Sequence, residues 1–328
     1  MRINILRPGR GGGPRAGAPA SRKPWYAGAG MAQIILLWLL AAAVAAALLM
    51  WLAGERGRPL LPSTWRFFRA GGRLHGYIYG RWTRQYVDML LSRLPPNEKA
   101  TRWLSDHHHG KLLTHAHAHA ILAAGHDVPL QDLEQVIPYP VARNLVLKSP
   151  PEVAAYECAC RHARKNHCQP TQVCIVIGQP FVDFIVEHHP GASRRLTQAE
   201  ALQLLDDEHQ RGHLHSAWFK DAMLNRFYAI CNCCKCCCGG VQAMRDRGVP
   251  MMTSSGYVAE LHPDLCGQCG ACVEACPFNA LSMDNSHPAL DWDKCLGCGV
   301  CEVKCPNRAV ALVRDERKGI PLDVRALA

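Results

Sequence analysis

The chain has 328 residues, 48% of them apolar, which is enough for two or more domains with a sizeable core. Its formal charge of +10 does not mark a nucleic-acid binder, because Arg2, Arg7, Arg10, Arg15, Arg22 and Lys23 all fall within residues 1–30. The 18 cysteines sit at ligand spacings in a long chain, which argues against a small disulfide-stapled secreted scaffold and for thiols kept reduced.

Residues 1–30 are mostly Gly, Pro, Ala and Arg without apolar period, and are expected to be a disordered tail. Met31 reads as an alternative start, with the tail then untranslated. Residues 31–53 carry no charge and a single polar side chain, Gln33. A helix of that length spans about 35 Å, so a single transmembrane helix is expected rather than a cleaved signal peptide, whose apolar region is shorter. Arg56, Arg58, Arg66, Arg69 and Arg73 follow closely. The positive-inside rule then places the bulk of the chain on the cytoplasmic side of the inner membrane.

Residues 54–150 are expected to be a juxtamembrane, helical, His-rich region. Trp82, Tyr86, Met89, Leu90 and Leu94 fall on helical spacing until Pro95-Pro96 ends the run. This amphipathic helix either packs on the domain or rests on lipid. His107, His108, His109, His115, His117, His119 and His126 crowd the next stretch. His115 and His119 share a helix face, as a metal pair or as an ordinary polar face.

Residues 151–255 are expected to be a mixed α/β cysteine-rich domain. Val173–Ile177 reads as a strand. Thr197-x-x-Glu200 is a capping box opening a helix to about Arg211, with Gly212 to end it. Segment 217–230 is expected to be another helix. Ten cysteines belong to this domain: Cys158, Cys160, Cys168, Cys174, Cys231, Cys233, Cys234, Cys236, Cys237 and Cys238. No core needs so many adjacent thiols, whereas metal ligation satisfies them. One or more additional iron–sulfur clusters are expected here, with zinc the alternative, and Arg161, Arg164, Lys165, Arg226 and Lys235 are at hand to offset thiolate charge.

In the last segment, Cys266, Cys269, Cys272 and Cys276 read C-x2-C-x2-C-x3-C before Pro277. Cys295, Cys298, Cys301 and Cys305 repeat the spacing before Pro306. Residues 256–313 resemble a bacterial-type ferredoxin domain holding two [4Fe-4S] clusters. The resemblance implies a pseudo-two-fold fold of short strands and helices. It also implies that Cys266, Cys269, Cys272 and Cys305 hold one cube, and that Cys295, Cys298, Cys301 and Cys276 hold the other. Glu260, Asp264, Glu274, Asp284, Asp291, Asp293 and Glu302 outnumber Lys294, Lys304 and Arg308, so a redox partner with a basic docking surface is expected, and no nucleic acid. Residues 314–328 form a C-terminal tail.

Cys237-Cys238-Gly239 has a three-residue likeness to the CCG element of heterodisulfide-reductase-type subunits. The overall arrangement resembles membrane-tethered, cysteine-rich ferredoxin-like proteins of bacteria. No Walker A loop, dinucleotide-binding glycine motif, radical-enzyme C-x3-C-x2-C or haem-attachment C-x-x-C-H is present. The sequence thus predicts an α+β, membrane-anchored iron–sulfur electron carrier. The rivals are an oxidoreductase with its catalytic centre in the cysteine-rich domain, and a metal-handling or redox-sensing protein.

Overall fold

The computed structural model describes residues 26–53, 62–93, 97–131, 133–137, 145–148 and 151–326. It divides into two units, 1–60 and 61–328. The first holds one helix, α1 (Tyr26–Ala53), whose Leu- and Ala-rich run has no charged residue in its first or last turn. The helix begins at Tyr26, inside the stretch expected to lack structure, because Tyr26–Gly30 continue the uncharged run. Its described side chains, such as Leu37 and Trp38, are exposed. Among the described residues no helix is long and apolar enough to cross a membrane. Within 31–53 only residues 33–46, 48 and 49 have described side chains, too few to make up the expected crossing. The remainder of the basic tail, Arg56 and Arg58 lie outside the described residues.

The second unit mixes helices with sheets. Strand β1 (His108–Leu113) is followed by a two-stranded ribbon, β2 (Val128–Leu130) with β3 (Leu145–Leu147). Then come β4 (Val153–Glu157), β5 (Gln172–Ile177), β6 (Ser193–Leu196), β7 (Leu214–Lys220), β8 (Arg226–Cys233) and β9 (Met252–Thr253). The main sheet runs β6-β4-β5-β8-β7-β1-β9, antiparallel except for β1 with β9. Its strands come from both sides of residue 150. The His-rich stretch, expected to be helical, supplies β1 because Leu112 and Leu113 bury completely against β7.

Period-two alternation gives this sheet two faces. One face carries Ala155, Ile175, Ile177, Ala217, Phe219, Phe227 and Ile230. It packs on helices His115–Leu122 and Gln198–Gln210 to form the core, onto which the C-terminal Leu322 and Val324 fold back. The other face carries Tyr156, Cys174, Ser216, Trp218, Lys220, Cys231 and Cys233. Helices Thr83–Arg93, Phe181–His188 and Gly239–Arg247 cover it and enclose a cavity of about 410 Å³.

Segment 217–230 is a hairpin, not the expected helix. Its aromatic residues alternate between two buried surfaces, and Leu224 and Asn225 take left-handed backbone conformations that turn the chain. Phe219 pairs with Phe227 and Trp218 with Ala229, leaving Tyr228 as a bulged residue. The expected capping box is present: Thr197 accepts from the Glu200 amide and Glu200 from the Thr197 amide. The helix closes at Arg211 before Gly212, at φ +81°. The strand expected at Val173–Ile177 and the helix expected at 82–94 are also found.

In the last part of the chain β10 (Tyr257–Leu261) pairs with β13 (Val310–Arg314), and β11 (Leu281–Asp284) with β12 (His287–Leu290). Short helices Ala271–Ala275 and Val300–Lys304 occupy equivalent places. The repeat extends to the backbone: Gln268 and Gly297, Gly270 and Gly299, and Asn279 and Arg308 pair off in the left-handed region.

Candidate metal centres

Each C-x2-C-x2-C loop curls because left-handed residues sit between the cysteines, at Gln268 and Gly270 and again at Gly297 and Gly299. A cavity of about 30 Å³ is lined by Cys266, Cys269, Cys272 and Cys305. A second, of about 20 Å³, is lined by Cys276, Cys295, Cys298 and Cys301. Three sulfurs of each come from one run and the fourth from the other.

Backbone amides point at the sulfurs. Ala280 N donates to Cys276 Sγ at 3.2 Å, Ala309 N to Cys305 Sγ at 3.1 Å, and Gln268 N to Cys266 Sγ at 3.4 Å. Such donors stabilise thiolate and raise the potential of a bound cluster. Burial pushes the Cys301 thiol up to about 12, and Cys298 well above its ordinary value. In neither quartet do three sulfurs lie within 4.8 Å of one another. That spacing leaves room for an inorganic core rather than a single ion.

The other ten cysteines fall into two groups. Cys168, Cys234, Cys236 and Cys237 bring their sulfurs within 4.8 Å of one another, with Cys168 and Cys236 at 2.8 Å and Cys236 and Cys237 at 3.3 Å. The remaining six line the wall of one cavity and are coupled in sequence around a closed ring. Cys158 meets Cys160 and Cys174. Cys231 meets Cys174 and Cys233. Cys238 meets Cys233 and Cys160.

The ring draws on regular elements. Cys174 lies on β5, and Cys231 and Cys233 lie two apart on one face of β8. Cys158 and Cys238 each precede a helix. Gly239 lets that second helix start close in: a Cβ there would meet Leu91 at 2.9 Å and the Cys160 sulfur at 3.5 Å. Its amide donates to Cys160. Hydrogen bonds within the ring push Cys160 and Cys233 down, while Cys158 and Cys238 are pushed up.

Beside the ring lies a buried polar group that sequence reasoning missed. Lys220 Nζ donates to Tyr79 Oη at 2.7 Å, and Tyr79 Oη lies 3.0 Å from Tyr228 Oη, which the bulge aims inward. Burial lowers the Lys220 ammonium to about 8, against the pull of the Cys231 and Cys160 thiols. His108 Nδ1, on the same cavity wall, is buried without a hydrogen-bond partner. A lysine in an aromatic strand carries no local signal; only its alternation with Trp218 and Ser216 places it on the cysteine face.

The expected cations are partly committed elsewhere. Arg161 is 1% exposed and pairs with the fully buried Glu208 at 2.9 Å, and Arg164 donates to Gln242. Lys235 donates to the Glu274 carbonyl. The histidines do not act as one segment. His115 stacks on His209 at 4.0 Å between ring centres and bonds Asp206 at 2.8 Å, while His119 lies 6.1 Å away. His117 faces Tyr257 and Asp323. His209 and His215, which complete the stack, lie far along the chain and escaped the sequence reading.

A 4Fe-4S binding domain matches residues 259–282 and 288–311, so this part of the chain is a 4Fe-4S binding domain of two motifs. No curated protein and no solved structure matches the chain.

Proposed function

We propose that the chain is a membrane-anchored iron–sulfur electron carrier. Two [4Fe-4S] clusters would be held by Cys266, Cys269, Cys272 and Cys305 and by Cys276, Cys295, Cys298 and Cys301, and further metal by the cysteine-rich domain. The observation that carries the reading is the pair of cavities, each walled by four sulfurs drawn from both runs. Such clusters supply one-electron transfer when bound. The residues around them set its conditions: amides of Ala280 and Ala309 hold charge on the sulfurs, and Phe278 and Pro277 keep water from the second site.

The exit for electrons is proposed at Cys269, which is exposed, as is Leu265 just before the first cysteine of the same loop. Glu260, Asp264, Glu274, Asp284, Asp293 and Glu302 are exposed on the same domain. They favour a partner with a basic docking surface, whose reduction would slow as salt rises. The anchor rests on the uncharged run within 31–53, with the iron–sulfur domains proposed on the cytoplasmic side of the inner membrane.

Anaerobic purification, iron and sulfide quantitation and electron paramagnetic resonance test the core of this reading. Two interacting [4Fe-4S] signals are expected, and a preparation without iron or sulfide overturns it. Fractionation with and without residues 31–53 tests the anchor: a shortened chain that stays in the membrane pellet defeats it.

One observation favours a second reading, an oxidoreductase. The cavity of about 410 Å³ lies against seven cysteines, the six of the ring and Cys234, and is furnished with Lys220, Tyr79, Tyr228 and His108. A substrate-dependent change in a middle-domain signal, with the tail clusters unchanged, distinguishes an enzyme from a carrier.

A further inference from the structure

Resting on the reading of the chain as an iron–sulfur carrier, we infer that Cys158, Cys160, Cys174, Cys231, Cys233 and Cys238 together hold one polynuclear iron–sulfur cluster. It is separate from the site at Cys168, Cys234, Cys236 and Cys237, which takes a single tetrahedral ion.

The division follows from spacing. Thiolates around one tetrahedral ion with bonds near 2.3 Å lie about 3.8 Å apart. The four-sulfur group closes to within 4.8 Å and suits such an ion. Among the described residues no three sulfurs of the ring do so. All six ring cysteines line one cavity, and each is coupled to two others in a circuit from Cys158 through Cys174, Cys231, Cys233, Cys238 and Cys160. Six ligands on one wide circuit surround a core of several irons bridged by sulfide. A single cube takes four thiolates. A six-thiolate centre is therefore larger than one cube, or carries iron with two protein sulfurs.

Charge supports the same site from an independent direction. Lys220 is 7% exposed, and among the described residues it forms no ion pair. The neighbouring Asp221 carboxylate turns toward His75 and His107. A buried cation without a counter-charge is strongly destabilising. A cluster held by six thiolates is anionic and supplies that counter-charge from the same face of the sheet. The buried His108 imidazole borders the same cavity. The ligands also stand on strands and helix starts rather than on a free loop, as a preorganised site requires.

The test uses the full-length protein, purified in detergent without oxygen and reconstituted with ferrous iron and sulfide. Two tail cubes account for about eight acid-labile sulfides per chain. The unmutated protein is expected to exceed that count. Cys174→Ser with Cys231→Ser is expected to bring it back to about eight with the tail resonance signals intact. Cys236→Ser with Cys237→Ser is expected to remove one metal ion and no sulfide. Cys269→Ser with Cys298→Ser separates this inference from its premise, because the excess sulfide should survive loss of the tail signals. The inference is overturned if the unmutated protein holds no more than about eight sulfides, a count that decides even where the ring variant fails to fold. It is equally overturned if the Cys236/Cys237 pair, rather than the ring pair, removes the excess.

Discussion

Lys235 Nζ donates to the carbonyl oxygen of Glu274 across 2.6 Å. Lys235 sits between Cys234 and Cys236, and Glu274 lies between Cys272 and Cys276, which line different tail cavities. One hydrogen bond thus ties the four-sulfur group to the short helix serving both quartets.

This contact makes the junction testable. Lys235→Met removes a charge-assisted hydrogen bond at an exposed site, a loss of about 1 kcal/mol or less in holding the loop to the helix. Rapid-freeze resonance after reduction is expected to show slower electron equilibration between tail and middle domain. Metal and sulfide content should be unchanged. Equal rates in both proteins would mean that electrons cross elsewhere.

A second prediction concerns Arg161, which follows Cys160 directly. Its guanidinium bonds Glu208 at 2.9 Å and reaches the Asn232 carbonyl at 3.3 Å, while Glu208 also holds His213 at 2.7 Å. Arg161→Met leaves a buried carboxylate without its buried arginine partner, at a cost of about 3 kcal/mol. A urea titration followed by circular dichroism should record that loss. A variant as stable as the parent would show that Arg211 and His213 alone satisfy Glu208.

The third prediction separates two left-handed glycines, one in each cysteine loop. Gly270 and Gly299 begin their helices at φ +71° and +78°, and a Cβ at Gly270 meets nothing within 4 Å. Gly270→Ala should therefore cost only the left-handed penalty, about 1 kcal/mol, and keep its cluster. Gly297, at φ +65°, is different: a Cβ there would lie 2.2 Å from the Tyr257 carbonyl oxygen, where Ser255 Oγ donates to the Gly297 carbonyl at 2.6 Å. Gly297→Ala should lose several-fold more stability and release the cluster at Cys295, Cys298 and Cys301. Resonance spectra of the two variants, compared side by side, check this asymmetry.

The tail was legible because its chemistry is written in contiguous spacing. Eight cysteines on a strict repeat mark both loops, and each small cavity is lined by three cysteines of one run and one of the other. The middle domain was legible only in composition. Its ring joins Cys158 and Cys160 to Cys174 on a strand, and to Cys231, Cys233 and Cys238 beyond a hairpin, a pairing that depends on sheet order. The helix expected at 217–230 hid that order: AWFK and RFYAI contain apolar residues that satisfy either period until both surfaces of the sheet are known to be covered. Lys220 was unreadable for the same reason.

Acid sensitivity gives a fourth prediction. His215 is 1% exposed, and burial lowers it to about 3, with Asn232 Oδ1 accepting from Nδ1 at 2.7 Å. His209 and His115 also disfavour its charging, whereas Glu208 favours it. The folded value lies below the unfolded value of 6.5, so the unfolded chain binds the extra proton. The stabilisation is full above pH 6.5 and is lost as pH falls toward about 3, with about 1 kcal/mol gone near pH 5.5. Unfolding free energies from urea titrations at pH 7 and 5.5 should differ by that amount, and His215→Gln should reduce the difference. An unchanged slope in the variant would assign the effect to another group, His209 first.

Lys220 provides the last prediction, because its two states pull in opposite directions. In metal-free protein its buried ammonium has Tyr79 Oη and the faces of Tyr79 and Trp218 as partners but no ion pair, so Lys220→Met should raise stability by removing a buried charge without a salt bridge. With a cluster in the ring, the same ammonium favours the more negative, reduced form. Removing it should then lower the midpoint potential of that centre, by about 1–2 kcal/mol at an effective dielectric near 20, while the tail clusters keep theirs. Potentiometric titration of the loaded protein and urea melts of the stripped protein read the two effects separately. A stabilised apoprotein whose middle-domain potential does not move would place the cluster's charge away from Lys220, since a cation on the wall of a loaded ring must bias its reduction.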